Sequence, residues 1–483
     1  MPISRRRFVK AVGATAAATA LPRPTFGILQ KRDERPNIVF CIADDWSFGH
    51  AGAYGDRAVK TPTFDGVAAQ GMLFTHSFCI APSCTPSRAG ILTGQPPHRL
   101  EEGGNLWGFL PQKFDVYPDL LEAAGYAVGL TGKGWGPGRV VDRKRNPAGP
   151  NFKSFDEFYT RVPDEKPFCY WFGSSDPHRP YQRALSEKSG IKPEEVKVPP
   201  IFPDTAEVRQ DLVDYYAEVQ RFDGQVGDIL RRLDESGRAE NTIVVITSDN
   251  GMPFPHCKAN LYDGGARMPL AVRWPGRIKA GQTSDAFVSH PDFFPTFLEA
   301  AGVDVPAVYG RSLLPLLTGK AKQHRDHVFI ERERHASCRA GNVGYPCRGV
   351  RTREHLYIRN IKPDRWPAGD PDSEGAMGTY GDIDRGPTKD LIQNRRGEEQ
   401  IKSLYELAFA KRPAEELYDA AADPWQLKNL ANDPAHAETR KRLGAEVETW
   451  MRETADPRAG GGGDEFDRYP YFGGEGPARR IRN

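Results

Sequence analysis

Four short, unbroken apolar runs constrain this chain more than any other feature: residues 37–43, 127–130, 168–172 and 242–247. A strand covered on one face alternates apolar with polar side chains, whereas a strand buried on both faces reads as a continuous apolar run. Helical spacing fills the intervals, most clearly over 205–236, where Val208, Leu212, Tyr216, Val219, Phe222, Val226, Ile229, Leu230 and Leu233 fall on one stripe. Asp204 and Thr205 are suited to cap its start and Gly237 to end it. Strands alternating with helices predict an α/β fold, a large and mostly parallel sheet flanked by helices on both faces. Gly 49 and Pro 41 fit a loop-rich enzyme of this class better than a helical protein.

Two of the runs end in acidic residues, Asp44-Asp45 after the first and Asp249-Asn250 after the fourth. Open α/β sheets carry their sites at the carboxyl ends of strands, and hard divalent cations prefer oxygen ligands, so the two clusters could converge on one Ca²⁺. Taken singly, each reads equally well as a helix cap or a solvated turn. A third feature shifts the balance. In Cys84-Thr85-Pro86-Ser87-Arg88-Ala89-Gly90-Ile91-Leu92-Thr93, cysteine, proline and arginine stand at alternate positions. The proline pins the backbone beside the sulfur and the arginine can fold back on whatever replaces it, as a built nucleophile would require. An inert buried cysteine is the alternative.

The run resembles the sulfatase signature C-x-P-x-R, and the resemblance extends through Pro36-Asn37-Ile38 to Asp45, Thr247 to Gly251, Trp274-Pro275-Gly276, Gly310 to Leu317, Glu416 to Asp419, Asp423-Pro424 and Asn429-Leu430. These motifs stand in the family's order over about residues 35 to 455. The resemblance implies an alkaline phosphatase-like catalytic domain and a smaller C-terminal antiparallel α+β domain. It also implies that Cys84 is oxidised to formylglycine (3-oxoalanine) by a formylglycine-generating or sulfatase-maturating enzyme, and that the hydrated aldehyde attacks sulfur. Asp44, Asp45, Asp249 and Asn250 would hold one Ca²⁺ together with the modified Cys84. Arg88 would orient the nucleophile, Lys133 and Lys258 would neutralise developing charge, and His178, in Asp176-Pro177-His178-Arg179, would be the leaving-group acid.

One departure stands out. Many sulfatases follow the lysine at 133 with a histidine two positions on, where this chain has Trp135, which can serve as neither acid nor base. His256, beside Lys258, is a candidate substitute, and Trp135 would either pack or stack on a sugar at a pocket rim. Within the family, Asp249 to Pro255, Asn260-Leu261-Tyr262, Asp176 to Arg179 and Tyr345-Pro346 resemble the heparan N-sulfatases, or sulfamidases. Lys258 replaces an arginine there, keeping the charge but losing the fork. Sugar contacts are expected from Asp176 and from the stretch containing Arg334 and His335.

The charge balance points to no polyanionic partner: 66 basic and 64 acidic residues leave a formal +2, which gives no argument for nucleic acid or bulk membrane binding, and no nucleic acid is expected as a partner. Ser4-Arg5-Arg6-Arg7-Phe8-Val9-Lys10, the apolar run 11–21 and Ala18-Thr19-Ala20 read as a twin-arginine export signal over residues 1–30. The expectation is therefore a periplasmic or secreted protein that engages the twin-arginine translocase. The catalytic domain is expected over 31–330, the α+β domain over 331–455, with 348–358 as one strand, and a flexible Gly-rich tail over 456–483. Of the seven cysteines, Cys41 and Cys169 read as core residues, and Cys338 with Cys347 is the best local candidate for a disulfide. The leading function is a sulfatase acting on sulfated carbohydrate. The alternatives are a phosphoester or phosphonate monoester hydrolase of the same superfamily, and a sugar-binding relative without catalysis.

Overall fold

The computed structural model describes residues 35–373 and 378–473; the expected export signal lies outside them. The four apolar runs become strands β1 (Asn37–Ala43), β3 (Ala127–Gly132), β4 (Phe168–Gly173) and β5 (Thr242–Ser248). With β2 (Met72–Phe78), β6 (Arg267–Arg273) and β7 (Gln282–Ser289) they form a seven-stranded sheet of order β3-β4-β1-β5-β6-β2-β7. Strands β3, β4, β1 and β5 are mutually parallel, and β6 alone runs against its neighbours.

The unbroken apolar character of β1 has a direct cause. Val39, Cys41 and Ala43 point into one core with Val208, Leu212, Val219 and Phe222 of the helix Ala206–Glu235. Ile38, Phe40 and Ile42 point into a second core with Leu92, Phe293 and Phe297 on the opposite face. Each fully buried side chain of this kind stabilises the fold by about 1.5–3 kcal/mol. Thr205 caps the long helix by accepting the amide of Val208, and Gly237, at φ +66°, ends it.

A second, antiparallel sheet has the order β11-β10-β9-β8, with β8 at His327–Arg332, β9 at Cys347–Thr352, β10 at His355–Asn360 and β11 at Glu415–Asp419. The helix Ala437–Glu453 covers it through Leu443, Val447, Trp450 and Met451. Three expectations change here. The segment 348–358 is a hairpin, because the chain turns at Arg353-Glu354 and Leu356 pairs back onto Arg351. The small sheet begins inside 327–332, so the change of architecture precedes residue 331. The segment after 456 packs as far as it is described: Asp456, Arg458 and Phe466 are buried. Arg458 pairs with Glu333 at 2.8 Å, and Arg365 with Asp467 at 2.9 Å.

All seven cysteines are buried and unpaired. Cys347 lies in the small sheet's core beside Phe78 and Tyr345, while the Cys338 sulfur packs on Gly369 and Arg339, so the expected bridge does not form. Cys41 and Cys169 are core residues, as read from the sequence. Among the described residues no helix is long and apolar enough to cross a membrane.

Candidate active site

The parallel order β3-β4-β1-β5 brings four strand ends to one edge of the sheet. Lys133 follows β3, Asp176 and His178 follow β4, Asp44 and Asp45 follow β1, and Asp249 and Asn250 follow β5. Strand β2 reaches the same edge, and the chain then enters the helix Cys84–Thr93. Ser83 is its extended N-cap residue, and Pro86 falls in the first turn, where its missing amide hydrogen costs nothing. Cys84 therefore stands at a helix N-terminus with Arg88 one turn on, on the same face.

The site closes around the Cys84 sulfur, which is 2% exposed. Asp44 Oδ1 lies 3.4 Å from Sγ and Asn250 Nδ2 3.7 Å from it. Arg88 is fully buried: Nε donates to Asp249 Oδ2 at 2.7 Å, and one terminal nitrogen donates to the carbonyls of Lys133 at 2.6 Å and Gly134 at 3.0 Å. Ser87 Oγ holds the Asp249 carbonyl at 2.5 Å. Lys133 Nζ donates to both oxygens of Asp44 at 2.7 Å, and Lys258 Nζ to Asp45 Oδ2 at 2.8 Å.

Two buried oxygens in this cluster, Asp45 Oδ1 and Asn250 Oδ1, accept no hydrogen bond. Ligand atoms of Asp44, Asp45, Cys84 and Asp249 lie within 4.8 Å of one another. Orphaned acceptors are expensive in a protein interior, and these share a nest of carboxylate and amide oxygens. Such a donor set fits a hard divalent cation such as Ca²⁺.

The electrostatics are divided. Burial alone would raise Asp44, but Lys133, His178 and Arg88 outweigh it and hold the carboxyl well below the usual range. Burial pushes Asp45 up to about 6 against the pull of Lys258 and His178. Burial would lower the two lysines, yet Asp44 keeps Lys133 above its ordinary value, and Asp384 and Asp45 do the same for Lys258. Burial, then Asp44, raises the Cys84 thiol well above the ordinary range, so the unmodified side chain is neutral at pH 7.

His178 is the accessible member, with 33% of its side chain exposed. Nδ1 donates to the Arg179 carbonyl at 2.5 Å, which turns Nε2 toward Asp45 Oδ2, 3.8 Å away. The other imidazole and sugar-contact candidates fare differently. His256 points away: Nε2 meets the Trp425 carbonyl at 3.1 Å, the ring stacks on Tyr262, and burial pushes its pKa down to about 3. It is a packing residue, not a substitute acid. Trp135 is buried in the second core and offers no face at a rim. Arg334 donates to the carbonyls of Tyr469 and Pro470, holding the C-terminal segment and not a ligand. Asp176 grips Arg221 at 2.7 Å, and its carbonyl receives the Asp44 amide at 2.8 Å, so it positions Asp44. His335 does reach the site's edge, with Nδ1 2.8 Å from Ser83 Oγ, immediately before Cys84.

One residue escaped the sequence reading. Asp384 Oδ2 accepts from Lys258 Nζ at 2.9 Å across 126 residues of chain, from a loop with no motif. The same carboxylate lines a cleft of about 420 Å³ with Arg179, Tyr181 and Asp214.

Residues 36–303 match the sulfatase family model, and residues 256–373 match the model for the C-terminal region of N-sulphoglucosamine sulphohydrolase. Human N-sulphoglucosamine sulphohydrolase is 31% identical, with 87% of this chain and 91% of the relative aligned. An ulvan-active sulfatase of Formosa agariphila is 28% identical over 88% of this chain and 81% of its own. A structure described as a complex with its substrate D-glucosamine-2-N,6-O-disulfate shares the fold at TM-score 0.61 and 21% identity, covering 88% of this chain and 99% of that one.

Proposed function

The chain belongs to the sulfatase family and hydrolyses sulfate esters or sulfamates; within that class, we propose that it is an exported, Ca²⁺-dependent sulfamidase removing N-linked sulfate from glucosamine of sulfated carbohydrate. One observation carries the chemistry. A nucleophile position at a helix N-terminus, 3.4 Å from Asp44, faces two buried oxygens that lack hydrogen-bond partners. The substrate class is supported by the human relative and by the C-terminal family match, which spans Lys258.

Formylglycine at position 84 would supply a hydrated aldehyde as nucleophile, a reactivity that a buried neutral thiol lacks. Asp44, Asp45, Asp249 and Asn250 would hold Ca²⁺, which when bound polarises a sulfuryl oxygen. The remaining work belongs to the chain's own groups. Arg88, pinned by Asp249 and two carbonyls, gives the nucleophile one orientation. Lys133 and Lys258 present fixed positive charge to the anionic group, without reorganisation during reaction. His178 holds its Nδ1 proton on the Arg179 carbonyl and delivers a proton from Nε2 to the departing atom. Maturation by a formylglycine-generating or sulfatase-maturating enzyme and passage through the twin-arginine translocase complete the proposal, on the strength of Cys84 to Arg88 and of Arg5 to Phe8.

The test is a side-by-side measurement of kcat/KM on N-sulfoglucosamine, O-sulfated glucosamine and a phosphate monoester. The sulfamate should turn over fastest. A preference for the O-sulfate would overturn the sulfamidase reading, and a preference for phosphate would overturn sulfuryl transfer as the main activity.

A further inference from the structure

We propose that Asp384 selects nitrogen over oxygen as the leaving atom, by accepting the N–H that a sulfamate carries and a sulfate ester lacks. The inference rests on the sulfamidase reading above and deepens it. Its basis is position. Ligand atoms of Asp45, His178 and Asp384 lie within 4.8 Å of one another, so the Asp384 carboxylate faces the imidazole that serves the leaving group. Lys258 links it to Asp45, with Nζ 2.9 Å from Asp384 Oδ2 and 2.8 Å from Asp45 Oδ2. Along that chain of charge Asp45 is fully buried and Lys258 nearly so, while the Asp384 side chain is 19% exposed. Asp384 thus belongs both to the charged site and to the lining of the 420 Å³ cleft, beside Arg179, Tyr181 and Asp214, and that cleft is where we place the leaving sugar.

The chemistry of the bridging atom then decides. In C–NH–SO₃⁻ the bridging nitrogen donates one hydrogen bond; in C–O–SO₃⁻ the bridging oxygen has only lone pairs. With Oδ2 held by Lys258, Oδ1 of Asp384 is the acceptor for that N–H, and the same oxygen repels an ester's lone pairs. As sulfur forms its new bond to the nucleophile at position 84 and the S–N bond breaks, the S–N electron pair stays on nitrogen, which takes the proton from His178 Nε2 and leaves as an amine. A proton from water then makes the amine an ammonium, whose charge Asp384 complements. A site built to bond an N–H discriminates against the analogue without it far more strongly than a shape-matched apolar pocket does.

The experiment uses the mature full-length enzyme and its Asp384→Ala and Asp384→Asn variants, with kcat and KM measured separately on N-sulfoglucosamine and on 4-methylumbelliferyl sulfate. Both substrates should slow, because Lys258 loses a partner. The ratio of kcat/KM for sulfamate over ester should fall a further ~10- to 100-fold in Asp384→Ala, the scale of one charge-assisted hydrogen bond. Inhibition by free glucosamine should weaken in the same variant, and Asp384→Asn, which keeps an acceptor oxygen, should recover part of the ratio. An unchanged ratio in a wild type that hydrolyses the sulfamate overturns this inference alone and leaves Asp384 as a support for Lys258. A wild type that hydrolyses the ester but not the sulfamate overturns the sulfamidase reading, and the inference with it. If Asp384→Ala does not fold, Asp384→Leu, which fills the space but accepts no hydrogen bond, decides: a ratio equal to wild type overturns the proposal.

Discussion

His256 offers a test in which stability and function separate. Its imidazole is buried against Tyr262 with Nε2 on the Trp425 carbonyl, and burial, aided by the positive charge of Arg412, pushes its pKa down to about 3. In the unfolded chain the same group titrates near 6.5. Between those values the unfolded state binds a proton that the native state refuses, so stability is complete above about pH 6.5 and declines as pH falls toward 3. Each pH unit inside the window is worth about 1.4 kcal/mol, so His256 costs roughly 2 kcal/mol of stability on going from pH 7.5 to pH 5.0. The perturbation is His256→Gln, which keeps a donor for Trp425 but does not titrate. Urea unfolding of both proteins at the two pH values gives a double difference, from which any pH-independent cost of the substitution cancels. The variant should lose about 2 kcal/mol less than wild type between pH 7.5 and 5.0, and at pH 7.5 its kcat/KM on a sulfated sugar should stay within a few-fold. An unchanged pH dependence would show that the native imidazole takes up protons freely, and would refute the burial argument. A folded variant without turnover would return His256 to the active site.

Cys84→Ala should abolish turnover while leaving the thermal midpoint within a few degrees of wild type, and intact-mass analysis of wild type should show conversion of Cys84 to formylglycine; appreciable residual turnover would remove it as nucleophile. His178→Ala should slow substrates with poor leaving groups most, since a good leaving group needs no proton in the transition state, and equal losses across an aryl and alkyl sulfate series would end its role as acid. Chelation by EGTA should abolish activity and lower the melting temperature, with both restored by Ca²⁺; at a hundred times Kd, bound ion contributes about 2.7 kcal/mol. Arg348→Leu should cost about 3–5 kcal/mol in urea unfolding, because Arg348 is fully buried between Asp456 at 2.6 Å and Glu333 at 2.7 Å, and its loss leaves the buried Asp456 without a guanidinium and Glu333 with Arg458 alone. A loss below 1 kcal/mol would mean that solvent reaches the network.

What the sequence made legible follows from how local each signal is. The buried strands were readable because β1 must satisfy two cores at once, and no polar residue is tolerated on either face of Ile38 to Ala43. The cluster of Cys84 with Asp44, Asp45, Asp249 and Asn250 was readable because each lies within a few residues of the strand or helix end that aims it, so that spacing along the chain stands in for geometry. Where the signal came from the far side of the molecule, local reading failed. His256 looked catalytic by its nearness in sequence to Lys258, yet at φ +64° the backbone at His256 adopts a left-handed turn and the ring faces Trp425 and Tyr262. The Gly-rich segment after 456 looked like a tail because glycines carry no core signal, but Arg458 and Phe466 fix it against Glu333 and Gly104. Asp384 had no local signal at all. Its pairing with Lys258 is set by the loop that follows the small sheet's hairpin and by the packing of that loop on Arg332 and Arg339 through Asp382. On the proposed reading the division has a functional logic: the parallel sheet, with its short-range motifs, would build the machinery that handles sulfur, while the C-terminal region, joined by long-range ion pairs, would supply Asp384 to the leaving group. Changes in the loop 382–387 should therefore alter which sulfate is removed before they alter whether one is.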